Sequence, residues 1–144
     1  MNCVGTKSLI VLNPMLTAKA IFAALILSLL LAGSPFDGKW TLVEINGKAP
    51  ALASKPKPPN IIFKKGDNNF SAFLGVNNMS GSFKVSGSAV SMKPGMQTLI
   101  GASQELMDLE NNYRRALGVV NSYRVKGNTL EFLKGNKVIL KFKK

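Results

Sequence analysis

Residues 122–144 read SYRVKGNTLEFLKGNKVILKFKK, and this stretch decides the fold class. Apolar side chains occupy every second position in three short runs: Tyr123 and Val125, then Leu130 and Phe132, then Val138, Leu140 and Phe142. Gly-Asn pairs at 127–128 and 135–136 separate the runs and favour two-residue hairpin turns. A period of two with one polar face predicts an antiparallel meander, in which Ile139 shares the solvent side with the lysines of the last strand.

The same alternation precedes this meander in shorter runs. Residues 40–45 form a β-rich run that ends at Asn46-Gly47, and residues 61–63 form a second run that ends near Gly66. Alternating apolar positions predict three more strands: Phe70, Ala72 and Leu74, then Phe83 and Val85, then Val90 and Met92. Between the first two runs, residues 49–60 contain four prolines, which predict an extended loop.

One segment, residues 103–117, breaks the strand pattern. Its apolar residues are spaced by three, four and four positions: Leu106, Leu109, Tyr113 and Leu117. The spacing predicts an amphipathic helix that begins at the N-cap Ser103, ends at Gly118 and carries a Glu110–Arg114 pair one turn apart. We expect its apolar stripe to cover the sheet rather than to bind a partner. The expected fold is therefore mainly β, of the α+β class: an antiparallel meander curled into a small, partly closed barrel with one helix packed against it.

The composition excludes several kinds of active site. The chain has 144 residues, enough for one domain, with no histidine and a single cysteine, Cys3. Histidine-dependent nucleophilic catalysis, histidine-ligated metals, cysteine-ligated zinc and an internal disulfide are excluded. Among the seven acidic residues, Glu44, Asp67 and Glu131 fall at predicted solvent-exposed positions, and no pair stands out by spacing. We expect no enzymatic activity, no catalytic residues, no metal and no cofactor.

The net charge is strongly positive and dominated by lysine. Nineteen Lys+Arg against seven Asp+Glu give +12, and residues 34–144 carry +10 because residues 1–33 hold two lysines and no acid. The lysines are scattered, without the interleaved aromatic side chains that stack nucleic-acid bases. We therefore expect no nucleic-acid partner, and we expect attraction to anionic surfaces of a cell envelope.

The amino terminus contains a segment typical of export. Residues 20–32, AIFAALILSLLLA, are apolar except for one serine, follow Lys19 and end at Gly33. These thirteen residues are too few to span a bilayer, which needs about 20, but they suit the apolar region of a signal peptide. The sequence predicts a signal peptide or an uncleaved signal anchor at residues 1–33, with Met15 as an alternative start, and one domain at residues 34–144.

Residues 31–34, Leu-Ala-Gly-Ser, match three of the four positions of the lipoprotein signal Leu-Ala-Gly-Cys. Acylation requires the cysteine thiol, which Ser34 lacks. A serine that is native at position 34 and a serine introduced in place of a cysteine would give the same sequence, so both alternatives stay open. We expect export to the periplasm or cell envelope without a lipid and with cleavage near Ser34. An uncleaved segment would instead keep the domain anchored at the membrane.

Three motifs occur in order along the chain. They are WTLVEINGK at 40–48, LGVNNMSGSF at 74–83, and Thr98 ahead of the helix and the meander. This order resembles the META/HslJ family of small bacterial envelope domains, over roughly residues 38–142. The family pattern is a tryptophan in the first strand, a Gly-Cys-Asn-x-x-Ser-Gly turn, a Thr-x-x-x-Cys segment, one helix and a final meander. The matching positions are Trp40, Gly75, Asn77, Ser80, Gly81 and Thr98.

The chemistry of these residue types favours structural roles for them over a role in ligand binding. Asn77 and Ser80 would bond the backbone of their own turn, the glycines would allow a positive φ, and Trp40 would lie in the core. The two family cysteines are replaced by Val76 and Ala102. The loss of both implies that the fold stands without a cross-link there, and it excludes any redox role suggested for relatives. If the family cysteines pair, these two positions lie close together.

The resemblance also implies a function. Such proteins resemble heat-inducible envelope proteins linked to stress and antibiotic tolerance, with no established catalytic residues or cofactor. We expect this chain to act without enzymatic activity, as a monomer that binds an envelope protein or an anionic envelope surface. The alternative is a periplasmic carrier of a small ligand or lipid, since a curled sheet can hold an apolar molecule. The predicted inward residues are bulky, which favours a filled core: Phe70, Leu74, Phe83, Tyr123, Phe132 and Phe142.

Overall fold

The computed structural model describes residues 34–51 and 57–144. In these ranges the chain forms eight strands and one helix. The strands are β1 (Gly38–Ile45), β2 (Asn60–Phe63), β3 (Asn69–Phe73), β4 (Asn78–Ser86), β5 (Ala89–Gln97), β6 (Ser122–Lys126), β7 (Thr129–Lys134) and β8 (Lys137–Lys143), and the helix is α1 (Gln104–Val119). The predicted signal segment, the alternative start at Met15 and Cys3 lie outside the described residues.

The strands form a ring. Each pairs antiparallel with the next along the chain, and β8 pairs back onto β1. The pairing between β5 and β6 is the shortest in the ring, because only Ala89 and Ser122 lie opposite each other in its register. Helix α1 lies along β5, because Arg114 of the helix contacts Gly95 and Gln97 of that strand. The predicted mainly β fold, with a partly closed barrel and one helix against it, is confirmed.

The described strands, the helix and the hydrophobic core all lie in one compact unit, Gly33–Lys144. Aromatic rings fill the inside of the ring of strands: the ring centroids of Phe36 and Phe63 are 4.7 Å apart, and those of Phe63 and Phe83 are 5.0 Å apart. Edge-to-face packing at these distances is favourable beyond the burial of area alone. The prediction of a filled core is confirmed, except that Tyr123 is half-buried and its hydroxyl donates to the Gly87 carbonyl at 2.7 Å.

The last hairpin departs from strict alternation. Phe132 pairs with Leu140 and Leu133 pairs with Val138, so that Ile139 is an extra residue in β8. Such a bulge changes the side on which the neighbouring side chains lie. The prediction that Ile139 faces solvent is therefore wrong: it is buried in the core, and Leu133 is buried as well.

Helix α1 has the predicted apolar stripe but different ends. Of the four residues of the predicted stripe, Leu109, Tyr113 and Leu117 are buried and Leu106 is half-buried. Ser103 occupies the N-cap position, yet its side chain makes no capping hydrogen bond. Gly118 does not end the helix, which continues through Val119. The C-cap residue Val120 is extended and leads directly towards β6, so the helix does not end in the left-handed turn that a glycine favours. Within residues 34–51 and 57–144, no helix has both the length and the apolar character needed to cross a bilayer.

Candidate functional site

The turn between β3 and β4 places a buried amide against the segment that follows β5. Gly75 has a φ of 138°, a conformation that favours glycine, and two residues later Asn77 is 1% exposed. The Asn77 side chain holds Ile100 by both backbone groups: Oδ1 accepts from the Ile100 N–H at 2.7 Å, and Nδ2 donates to the Ile100 carbonyl at 2.9 Å. Asn77 thus bonds across to a distant segment, not within its own turn as expected.

A buried carboxylate from the helix supports the same turn. Glu110 is 1% exposed. Its Oε1 accepts hydrogen bonds from the backbone N–H groups of Val76, at 2.8 Å, and Asn77, at 2.5 Å, and its Oε2 accepts from Asn77 Nδ2 at 2.8 Å. These bonds compensate for the removal of the carboxylate from water, and they satisfy two backbone donors that the turn leaves without a strand partner.

The predicted Glu110–Arg114 pair is not formed. In the described part of the chain the ion pairs are Arg124 with Glu131 and Lys141 with Glu44. Arg114 instead donates to the Gly95 carbonyl at 3.0 Å and to Gln97 Oε1 at 3.2 Å. The Glu110 carboxylate instead accepts hydrogen bonds from the backbone of the β3–β4 turn. This arrangement is favoured because leaving those buried N–H groups unpaired would cost more free energy than a surface ion pair with Arg114 would contribute.

Thr98 completes the connection between the turn and the segment after β5. Its hydroxyl donates to Asn77 Oδ1 at 2.9 Å and accepts from the Asn78 N–H at 3.0 Å. Its own N–H donates to the Asn78 carbonyl at 3.0 Å. We call Asn77, Gln97, Thr98, Glu110 and Arg114 the polar cluster. It fixes the backbone between β5 and α1 from both the strand side and the helix side.

The segment that the polar cluster fixes carries exposed apolar side chains. Met96 is 83% exposed, Leu99 is 91% exposed and Ile100 is 57% exposed. We call residues 96–100, the last two residues of β5 and the three that follow it, the apolar loop. Because Thr98 and Ile100 are held by their backbones, the loop presents these side chains to solvent on a fixed support.

The remaining family-motif positions lie in and around the ring of strands. Trp40 is buried, and its Nε1 donates to the Phe36 carbonyl at 2.7 Å. Gly81 does not have a positive φ; glycine is needed there because a Cβ would overlap the Phe70 ring and the backbone of the adjacent strand. Ser80 is exposed on β4. Of the six motif positions, Asn77 and Thr98 belong to the polar cluster, and Gly75 shapes the turn beside it.

Sequence reasoning missed Glu110 and the apolar loop, although both left a signal. Glu110 lies three residues before Tyr113 and seven before Leu117, so it falls within the apolar stripe of the helix. A carboxylate on a buried stripe needs partners there. The signal for the apolar loop is a group of three apolar residues, Met96, Leu99 and Ile100, that follows the last alternating strand positions. The predicted core has no position for these side chains, which indicates that they are exposed.

Two further features lie elsewhere. An open groove of about 450 Å³ runs between the β1–β2 connection and the start of α1, lined in part by Lys48, Glu105 and Asp108. Tyr113 is fully buried, and its hydroxyl donates to the Asn60 carbonyl at 3.2 Å; burial raises the pKa of this phenol well above its ordinary value. Among the described residues, no three side chains of the metal-binding types converge.

Solved structures of similar fold exist. The crystal structure of a DUF4847 family protein from Bacteroides vulgatus is 20% identical, with a TM-score of 0.55, and the alignment covers 74% of this chain and 92% of that one. An NMR structure of a protein from Burkholderia xenovorans is 21% identical, with a TM-score of 0.57 and coverage of 82% and 86%. A further NMR structure is 24% identical, with a TM-score of 0.56 and coverage of 74% and 87%. At these identities the likeness shows the fold alone.

No curated protein is significantly similar to this chain. The family model of the META domain, in contrast, matches residues 32–144, which include every described strand and the helix. The match agrees with the motif order in the sequence and with the strands and helix of the structure. The chain therefore belongs to the META domain family.

Proposed function

We propose that this chain is a non-enzymatic, exported protein of the cell envelope that acts in stress or antibiotic tolerance and envelope maintenance by binding through its apolar loop. The observation that carries the proposal is the presentation of Met96 and Leu99, both more than four-fifths exposed, on a segment that hydrogen bonds to Asn77 and Asn78 hold in place. A fixed support lowers the entropy lost on binding, and exposed apolar side chains supply contact area.

Three of the seven described acidic residues are engaged within the protein, which supports a non-catalytic function. Glu44 and Glu131 pair with Lys141 and Arg124. Glu110 is fully engaged by the β3–β4 turn. General acid–base catalysis needs groups that can reach a substrate, and these three carboxylates already have partners within the protein. The META domain family is not known for enzymatic activity.

The filled barrel argues against the carrier alternative. A carrier needs interior space for its ligand, whereas Phe36 lies within 6 Å of the ring centroids of Phe63, Phe83, Tyr123 and Phe132. Binding at the outside of the domain is the function that agrees with this packing.

Site-specific photocrosslinking in intact cells tests the proposal. A photoreactive residue is placed at Leu99 and, as the matched control, at Val85, which is 36% exposed on β4. We expect a covalent adduct from position 99 and none from position 85, in the envelope fraction. The intact mass should show a chain that begins near Ser34 and carries no diacylglyceryl group. Equal adducts from both positions, or recovery in the cytoplasmic fraction, would contradict the proposal.

A further inference from the structure

The exposed apolar side chains of this domain are concentrated at one place. In residues 34–51 and 57–144, the exposed large hydrophobic residues are Val85, Met96, Leu99, Ile100 and Val119. The three most exposed of them all belong to the apolar loop. Single exposed apolar residues are common on protein surfaces, whereas a local group of them marks a contact surface.

The loop is held away from the core by its own hydrogen bonds. The backbone of Ile100 is fixed on both sides by Asn77, and Thr98 is tied to Asn78 through its N–H and its hydroxyl. Leu99 lies between these two anchored residues. Its exposure is therefore a property of a fixed conformation.

The exposed side chains of the apolar loop protrude from the domain, and this shape suits a partner without a preformed pocket. Leu99 leaves only about a tenth of its surface in contact with its own chain. A protruding leucine or methionine can enter a fluid apolar medium without a shaped pocket, as residues of interfacial membrane proteins do.

The positive charge of the domain indicates which kind of apolar medium the loop enters. Residues 34–144 carry a net charge of +10. On the β5 side of α1, Lys93 is exposed three residues before Met96, and Arg114 lies on the Gly95 carbonyl beside Met96. The acidic residues at the start of the helix, Glu105 and Asp108, line the groove that α1 forms with residues 45–51. Positive charge beside protruding apolar side chains complements an anionic lipid surface.

We infer that the apolar loop inserts into the interface of an anionic phospholipid bilayer, with Lys93 and Arg114 beside the headgroups. This inference rests on the proposed function, since it uses the same binding surface, and it names the partner as a lipid surface.

Vesicle binding by the compact unit Gly33–Lys144 tests the inference without the apolar residues 20–32. Binding is measured by sedimentation with vesicles of phosphatidylglycerol and phosphatidylcholine, and with vesicles of phosphatidylcholine alone. We expect binding to the anionic vesicles only. The double substitution Met96→Ser/Leu99→Ser should weaken it at least about tenfold, because two apolar side chains no longer insert. Val85→Ser is the control and should bind like the parent. Thermal unfolding checks that each variant is folded.

A second variant reports insertion directly. Leu99→Trp places an exposed indole in the loop, against a constant background from buried Trp40. We expect the emission to shift to the blue when anionic vesicles are added. An unchanged emission overturns the inference, as does equal vesicle binding by the parent and the double serine variant, which would show adsorption by charge alone. A protein adduct at position 99 in cells, together with no vesicle binding, also overturns it but leaves the proposed function intact.

Discussion

Replacement of Glu110 tests whether the polar cluster supports the fold and the loop together. Glu110→Ala removes the acceptor of two backbone N–H groups and of the Asn77 amide. A buried donor left unpaired costs about 1–3 kcal/mol, and water entering the space offsets part of this cost. We therefore expect Glu110→Ala to lower the free energy of unfolding by about 3–5 kcal/mol.

The isosteric variant separates the charge from the packing. In Glu110→Gln one carboxylate oxygen becomes an NH₂ group, which cannot accept from Asn77 Nδ2. Asn77 cannot rotate its amide to compensate, because both of its polar atoms already bind Ile100. One charge-assisted bond is lost while the volume is kept, so we expect a loss of about 2 kcal/mol.

Urea denaturation, followed by the fluorescence of Trp40, measures both losses, and hydrogen exchange at the Ile100 amide measures the loop. We expect faster exchange at Ile100 in both variants. Glu105→Gln, an exposed change in the first turn of α1, is the matched control and should cost no more than about 1 kcal/mol. A cost below about 1 kcal/mol for Glu110→Ala, or unchanged exchange at Ile100, would refute the reasoning.

Three further predictions follow from particular residues. Burial raises the pKa of Tyr113 in the folded state above that of the unfolded chain, so its contribution to folding stability is fully present below about pH 10 and is lost as the pH rises. Urea titrations between about pH 9 and 11 should therefore show the free energy of unfolding falling by up to about 1.4 kcal/mol per pH unit, and Tyr113→Phe should remove this slope. Gly81→Ala should destabilise by about 2 kcal/mol or more through overlap, whereas Gly101→Ala, with open space around it, should change stability by less than about 0.5 kcal/mol in thermal unfolding. Cysteines at both Val76 and Ala102 should form a disulfide that closes a loop of about 27 residues, with a net gain in stability below the ideal figure of roughly 3–4 kcal/mol from the chain-entropy relation. Two free thiols after oxidation would show that the family alignment is wrong here.

The elements of this fold could be predicted because their signals are local. The Gly-Asn turns and the alternation around them specify the last meander, and the spacing of Tyr113 with its apolar neighbours specifies the helix. The bulge at Ile139 could not be predicted, since it depends on how β8 fits β7 and β1 together. An alternating pattern contains no mark for a register shift set by a neighbouring strand.

The candidate site was predicted only in part. Asn77 was identified through the family motif as a turn residue, and Thr98 as a motif position ahead of the helix, but their bonds join segments twenty or more residues apart. Glu110 was assigned to the helix surface because a nearby arginine offered a local partner. The distant N–H groups that bind Glu110 become apparent only when the β3–β4 turn and α1 are packed together.

The pairing of β1 with β8 sets the order in which the domain can be completed. Thr41, near the start of the domain, pairs with Lys143, next to the last residue. Pairing between such distant segments carries a high loop-closure cost and makes folding slow. The ring cannot close until β8 has been synthesised, so that a growing chain leaves β1 without its second neighbour. For a protein exported as proposed above, this topology keeps the nascent chain incompletely folded, and therefore able to be threaded through a translocation pore, until β8 has been synthesised.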